Sequence, residues 1–340
     1  MKRSFSVMVV FAALMLFTVA DLHAASFYEG KVVRITIGTS PGGGYDAWGR
    51  LIARHLGKHI PGNPSVTVEN IPGAGGLIQV NSLFAATKPD GLTIGNILGS
   101  ILLTQAMGQP GYEFDPQKFI YIGAANKENI VLILSKKSGI GSADKWRTSA
   151  VPVKVGSLAR GSSVENFLRV IKYALGFPMQ IVSGYKGTTE TRIAMESGEV
   201  GGGAPSWDSV KSSWMGVVNK GEASIVLQGV PKPLKEIPNV PTLTDFARTQ
   251  EEKRIVEVAI NSMNSYSRPF VAPPGTPKDR VEILRKALEY TVKDPEFLAE
   301  VDKMKVTLDP ATAEELISAV GTLAKLDSAL LSKLKTILFE

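Results

Sequence analysis

Cysteine is absent from the 340-residue sequence, which excludes disulfides, thiolate nucleophiles and cysteine-based metal sites. Stability must come from a packed core instead. Histidine occurs three times, and His23 falls in an N-terminal segment expected to be removed. His55 and His59 stand four apart on a helical stretch, but no glutamate follows His55 in an H-E-x-x-H pattern, and Lys58 adjoins His59. That pair reads as a solvated helix end. Serines are plentiful, yet no G-x-S-x-G elbow occurs, and two histidines cannot furnish a convincing triad or zinc hydrolase. No catalytic residue, metal or cofactor is therefore expected. Dense Lys/Arg tracts are missing too, so the net charge of +6 is spread thinly and nucleic acid is not an expected partner.

The N-terminus reads as a secretory signal over residues 1–25. Lys2 and Arg3 are its positive end, Val7 to Ala20 is apolar, and Leu22-His23-Ala24-Ala25 offers small residues for cleavage. No later run is long enough to cross a bilayer. About 315 residues remain after cleavage, enough for two domains. Their mild positive excess suits an anionic small molecule.

Two glycine-rich turns carry the strongest signal. Thr39-Ser40-Pro41-Gly42-Gly43-Gly44-Tyr45-Asp46 follows the apolar run Val32–Ile37, and Gly73-Ala74-Gly75-Gly76 follows Val66–Asn70, 31 residues further on. Each turn opens a helix. A glycine turn at a helix N-terminus leaves backbone N–H groups free and lets a ligand approach them. Successive strand-to-helix loops of a parallel sheet open on one edge, so both turns can face one anion. Asp46 is placed to cap the first helix, whose apolar face holds Trp48, Leu51, Ile52 and Leu56. A dinucleotide site competes, since Gly42-x-Gly44-x-x-Ala47 fits a G-x-G-x-x-A pattern and Glu69 lies 22 residues past Ala47. Export and the second glycine turn weigh against it.

Strand-like and helical runs alternate from Lys31 onward, as in βαβ units. Tyr121–Gly123 and Asn129–Leu134 read as a strand pair leading out of the first domain. A second α/β unit follows, with polar loops at Ser157–Ser163, Tyr185–Thr188 and Pro205–Asp208 where strands end. The strand Ser224–Leu227 is a candidate return crossing, and Pro231–Pro241 reads as irregular linker. A helix is expected from Thr276-Pro277. Another is expected from the capping box Thr312-Ala313-Glu314-Glu315 to the C-terminus.

The ordered words Pro41-Gly42-Gly43-Gly44-Tyr45-Asp46, Glu69-Asn70-Ile71-Pro72-Gly73-Ala74-Gly75-Gly76 and Lys88-Pro89-Asp90-Gly91 resemble the periplasmic substrate-binding proteins of tripartite tricarboxylate transporters, the TctC or Bug type. Tyr185-Lys186-Gly187, Ile237-Pro238-Asn239-Val240-Pro241-Thr242 and Ala272-Pro273-Pro274-Gly275-Thr276-Pro277 extend the resemblance over nearly the whole mature chain. Thr39 departs from it, standing where the family often has an aromatic residue. The resemblance implies an α/β, two-domain Venus-flytrap fold of mainly parallel sheets flanked by helices. It implies one domain from 26–126 plus 228–340 and another from 127–227. It also implies a periplasmic, monomeric receptor that passes a mono-, di- or tricarboxylate to membrane permease subunits. Presentation of the ligand to a membrane sensor is the alternative, and an exported dinucleotide enzyme a weaker one. The family's grip on a carboxylate is implied to come from the backbone of both glycine turns rather than from a buried arginine.

Expected ligand contacts are accordingly the two turns, with Ser157, Arg160, Ser162, Ser163, Tyr185, Lys186, Gly187, Thr188, Pro205, Ser206, Trp207 and Asp208 opposite. Ser162 and Ser163 would donate to the distal end of the solute, and Arg160 would pair with a second carboxylate, unless all three merely cap helices. Tyr45, Tyr185 and Trp207 would supply flat walls, with interdomain packing the alternative for Trp207.

Overall fold

The computed structural model describes residues 27–340. The signal segment at 1–25 lies outside the described residues. Among the described residues eleven strands form two sheets: β1 Val32–Ile37, β2 Ser65–Asn70, β3 Thr93–Asn96, β4 Ile120–Ala124, β5 Ile130–Ser135, β6 Val153–Gly156, β7 Met179–Val182, β8 Gly202–Gly203, β9 Ala223–Gly229, β10 Phe270–Ala272 and β11 Ala311–Thr312. The first sheet has the order β11-β4-β10-β3-β1-β2 and the second β7-β6-β8-β5-β9.

Both sheets are mixed. In the first, β1 runs parallel to β2 and β3, while β10 runs against β3 and β4. In the second, β6 runs parallel to β7 and β8, while β5 runs against β8 and β9. The parallel pairs come from the βαβ units legible in the sequence. The antiparallel ones come from strands that cross between the sheets. β4 and β5, expected as a strand pair, are consecutive but belong to different sheets, so 125–129 is a crossing and not a hairpin. The chain returns after β9 and re-enters the first sheet at β10.

Apolar burial follows the strand and helix periods. β5 is buried at every position, as a strand covered on both faces requires. Helix Gly44–Leu56 buries Trp48, Leu51, Ile52 and Leu56 against the first sheet. Each such side chain contributes about 1.5–3 kcal/mol relative to exposure. Helices Gln250–Val256 and Ser328–Phe339 pack against the helix Ser163–Arg169 or its continuation Val170–Ala174, so part of the last third of the chain serves the second sheet.

The C-terminal helix divides. Thr312 and Glu315 form the expected capping box, but the helix stops at Gly321 and a new one starts after Asp327, whose carboxylate accepts from Leu330 N–H at 2.8 Å. The helix expected at Thr276-Pro277 begins one residue later, with Pro277 as its cap residue. The proline-rich linker is tied to β9 by the fully buried Gln228, whose amide donates to Ile237 and Val240 carbonyls and accepts from Leu234 N–H.

His55 and His59 are not a solvated helix end. His55 Nε2 lies 2.8 Å from Glu300 and His59 Nε2 lies 3.1 Å from Asp294, both on the helix Pro295–Met304 or its cap. Lys58 bonds Asp294 at 2.9 Å. That bond, joined by the amides of Phe297 and Glu296, holds the Asp294 carboxyl at about 2, below its ordinary value. A lowered folded value stabilises the fold above the ordinary carboxylate range and loses that contribution as pH falls toward the folded value. Asp294→Asn keeps an acceptor for the helix cap and deletes only the charge. The variant is therefore expected to unfold at lower urea than the parent at neutral pH, with the gap narrowing below about pH 5 and closing only as pH falls through about 2. Parallel curves over that range would remove the charge from the account.

Candidate functional site

A cavity of about 330 Å³ opens between the two sheets. Four helices end at it, and each presents its N-terminus. Helix Gly44–Leu56 comes from the first sheet's side. Helices beginning at Ser163, Thr188 and Trp207 come from the second. Each N-terminus carries roughly half a positive charge, and its first amides have no acceptor within the helix.

The four ends are capped differently. Ser162 Oγ accepts from Glu165 N–H at 3.2 Å, and Ser206 Oγ accepts from Ser209 N–H at 3.4 Å. Gly43 and Gly187 stand at the cap positions of the other two and offer no side chain. In both of these the acid at the third helical position reaches back outside the helix. Asp46 accepts from Gly42 N–H and Glu190 from Lys186 N–H, each at 2.9 Å. The carboxylates thus brace the turns from behind and leave the leading amides to the cavity.

The first glycine turn lines the cavity from Thr39 to Tyr45: Ser40, Pro41, Gly42, Gly43 and Gly44 all contribute. From the other side come Ser162, Ser163, Lys186, Gly187, Thr188 and Ser206. Asp46 faces away, bonded also by Arg50 and Asn70 at 3.0 Å. Burial works against its charge, but the bonds from Arg50, Gly42 and Asn70 outweigh burial and lower its pKa.

The second glycine turn does not reach the cavity wall. It adjoins the first, since a Cβ on Gly38 would fall 2.8 Å from Gly76 Cα, and Asn70 Nδ2 donates to Thr39 O at 2.9 Å. Gly73, Ala74, Gly75 and Gly76 all have positive φ, including 45° at Ala74, where a side chain resists it. The tight bend brings Gly75 against the opposite loop: a Cβ there would lie 3.2 Å from the Arg160 carbonyl. The turn supports its neighbour and meets the second sheet's loop beside the cavity.

Other expected contacts also lie outside the lining. Arg160 donates to the Phe339 carbonyl instead of entering the cavity. Ser157 is fully buried behind it. Tyr185 covers Gly156 and donates to Glu199 at 2.6 Å; burial first, then that bond, pushes its hydroxyl up to about 12. Pro205 accepts from Val131 N–H at 2.9 Å within the sheet. Trp207 packs in the second core and donates to Glu236 at 3.3 Å. Asp208 is a buried clasp: it accepts from Trp48 Nε1 and Asn126 Nδ2 at 3.1 Å and from Thr307 N–H at 2.9 Å.

Residues 49–320 match the sequence model described as tripartite tricarboxylate transporter family receptor. The chain belongs to that family. As a receptor of this family it is a solute-binding protein and not an enzyme. Its fold is that of periplasmic binding proteins. BugD, a periplasmic binding protein, shares 19% identity with a TM-score of 0.72, covering 91% of this receptor and 98% of the other chain. MatC from Rhodopseudomonas palustris, solved with bound malate, shares 16% identity with a TM-score of 0.69 over 91% and 99% of the two chains. A further R. palustris protein, solved with adipate, shares 18% with a TM-score of 0.71 over 91% and 97%. No curated protein sequence matches the receptor.

The dinucleotide pattern finds no support in the receptor's geometry. Glu69 pairs with Arg34 at 3.1 Å, away from the cavity lining, and the volume is that of a small-solute pocket. Among the described residues no helix is long and apolar enough to cross a membrane.

Sequence reading missed the cavity floor. Leu98, Leu158 and Val164 supply apolar wall, and Glu128 and Arg268 supply charge. Arg268 is 2% exposed and Glu128 7%. A buried arginine therefore lines the site, a side chain that the expected backbone grip did not include. Its one sequence signal is position, since Arg268 is the lone cation between Tyr266 and the buried strand β10. Tyr45 joins the group, its single hydroxyl proton shared between Ser267 O at 2.7 Å and Glu128 at 3.2 Å. Burial, then the Glu128 carboxylate, pushes the Tyr45 hydroxyl well above its ordinary value, so it stays a donor.

Proposed function

We propose that this receptor captures a small organic carboxylate in the cavity and delivers it to the membrane subunits of a tripartite tricarboxylate-type transporter. The observation that carries the reading is the convergence of four helix N-termini on one small space, two of them uncapped by any side chain. The charged side chains lining the cavity are Glu128 and Glu190 against Lys186 and Arg268, so they balance, and the helix ends supply the positive excess. The solved relatives that hold malate and adipate point to the same ligand class.

The reading has the first glycine turn and the Thr188 helix end hold a carboxylate, while Ser162, Ser163 and Ser206 shape the rest. The second glycine turn, Gly73–Gly76, acts as the seam against the loop at Arg160. Solute bridges the two sides, so binding favours a closed arrangement over an open one. The first sheet with the helices at 278–321 forms one lobe and the second sheet the other. The receptor works as an exported periplasmic monomer, released from its signal near residue 25.

Calorimetry or thermal shift against a panel of mono-, di- and tricarboxylates tests the capture. At least one member should bind, and its neutral amide should not. Silence across the panel would overturn the assignment. Uptake of the identified solute should cease when the receptor is deleted from its native cell, and uptake that persists would break the link to transport.

A further inference from the structure

We propose that Arg268 and Glu128 together read the solute, the guanidinium taking a carboxylate oxygen and the Glu128 carboxylate taking a hydrogen-bond donor on the adjacent carbon. The solute class is then a 2-hydroxy or 2-amino carboxylate rather than a plain alkyl one. This rests on the carboxylate-receptor reading above and sharpens it.

The pair stands where the chain crosses between the sheets. Glu128 lies on the outward crossing after β4, and Arg268 immediately precedes the return into β10. Ser267 ties the two together, its hydroxyl accepting from Glu128 N–H at 2.8 Å. The guanidinium lies over the Tyr45 ring, 4.6 Å from its centroid. On its other flank lies Gly44, where a Cβ would sit 3.0 Å from Nη2 and press on the guanidinium.

A purely structural ion pair in this position would be closed by hydrogen bonds, since buried charges are costly otherwise. This one is open. Arg268 Nη2 and Glu128 Oε1 are 3.7 Å apart, beyond hydrogen-bond length. Arg268 Nε and Nη1 are buried with no hydrogen-bond partner among the described residues. A guanidinium carries five donors in a planar fork matched to a carboxylate. Glu128 Oε2 has Tyr45, but Oε1 faces only the distant Arg268.

Neighbouring cation and anion call for a solute with neighbouring acceptor and donor. A carboxylate bearing a hydroxyl or ammonium on its 2-carbon has that arrangement. A plain carboxylate would satisfy Arg268 yet leave Glu128 unmet beside a like charge. Sites built to bond a donor reject analogues that lack it more strongly than apolar pockets reject a missing methylene.

The test is calorimetry on matched triplets of short mono- and dicarboxylates, each set comprising the plain acid, its 2-hydroxy form and its 2-amino form. The substituted members of the triplets that bind should be at least about tenfold tighter than the plain acid. Arg268→Lys keeps the charge but loses the fork, and should weaken every binder about tenfold or more. Glu128→Leu should erase the preference for substituted members. Glu128→Gln should erase it only if the donor is an ammonium, since a glutamine oxygen still accepts from a hydroxyl. Circular dichroism checks each fold, and the unmodified receptor with Arg268→Lys decides the matter if the Glu128 variants misfold. Plain acids binding as tightly as their substituted partners, or Arg268→Lys leaving affinity within twofold, would overturn this inference and leave the carboxylate reading standing. Failure of every triplet member to bind would overturn this inference, and silence across the wider panel of mono-, di- and tricarboxylates would overturn the carboxylate reading with it.

Discussion

Gly44→Val is expected to abolish solute binding while the receptor stays folded. Gly44 opens the helix Gly44–Leu56 with ordinary helical backbone, so a side chain there meets no conformational barrier. The obstacle is space. A Cβ would lie 3.0 Å from Arg268 Nη2 and 3.5 Å from Ser206 Oγ, and the valine methyls would extend further into a cavity of about 330 Å³. They would screen the helix's leading amides and displace the guanidinium. Loss of those contacts should weaken binding by about a hundredfold or more, equivalent to about 3 kcal/mol. Calorimetry should register this loss while the thermal unfolding midpoint moves little. Gly43→Ala is the companion, since a Cβ there meets nothing within 4 Å and Gly43 has φ −90°. Its effect should be much smaller. Equal losses in the two variants would mean that the turn is generally sensitive rather than sterically gated at Gly44.

Asp208→Ala should do the opposite, unfolding the protein readily while sparing the cavity. Its carboxylate accepts from Trp48, Asn126 and Thr307, which belong to a first-lobe helix, the outward crossing and a C-terminal segment. Removing it leaves the Trp48 and Thr307 donors without an acceptor and Asn126 Nδ2 with only the Lys127 carbonyl at 3.4 Å, at a cost of about 3–5 kcal/mol. Chemical denaturation should show the loss as an earlier midpoint. Solute affinity, measured where the variant is still folded, should fall by no more than a few-fold. A variant of parental stability that no longer binds solute would return Asp208 to the binding site.

How legible the site was depended on which atoms build it. The first glycine turn and the loops at Ser162, Lys186 and Ser206 could be placed because strand, glycine or serine, and helix follow one another locally. The second glycine turn has the same signature, yet its role is decided by where the opposite loop stops, at the Arg160 carbonyl. Asp208 and Trp207 open a helix whose N-terminus does reach the cavity, but their side chains turn to Trp48 and Glu236, which sequence separation hides. Arg268 and Glu128 are 140 residues apart and carry no motif. They meet because both inter-sheet crossings pass the same point. The strand–helix alternation was clear for the same local reason, whereas the antiparallel β5 and β10 depend on long-range pairing.

Four helix ends meeting at one cavity have a consequence for how such receptors diversify. Main-chain amides cannot be mutated away, so the hold on an acidic group proposed for them would survive drift that rewrites most of the sequence. The chemical choice among acids then rests on the handful of side chains on the floor. A lineage can exchange one nutrient for another by altering those few positions, with no need to rebuild the scaffold.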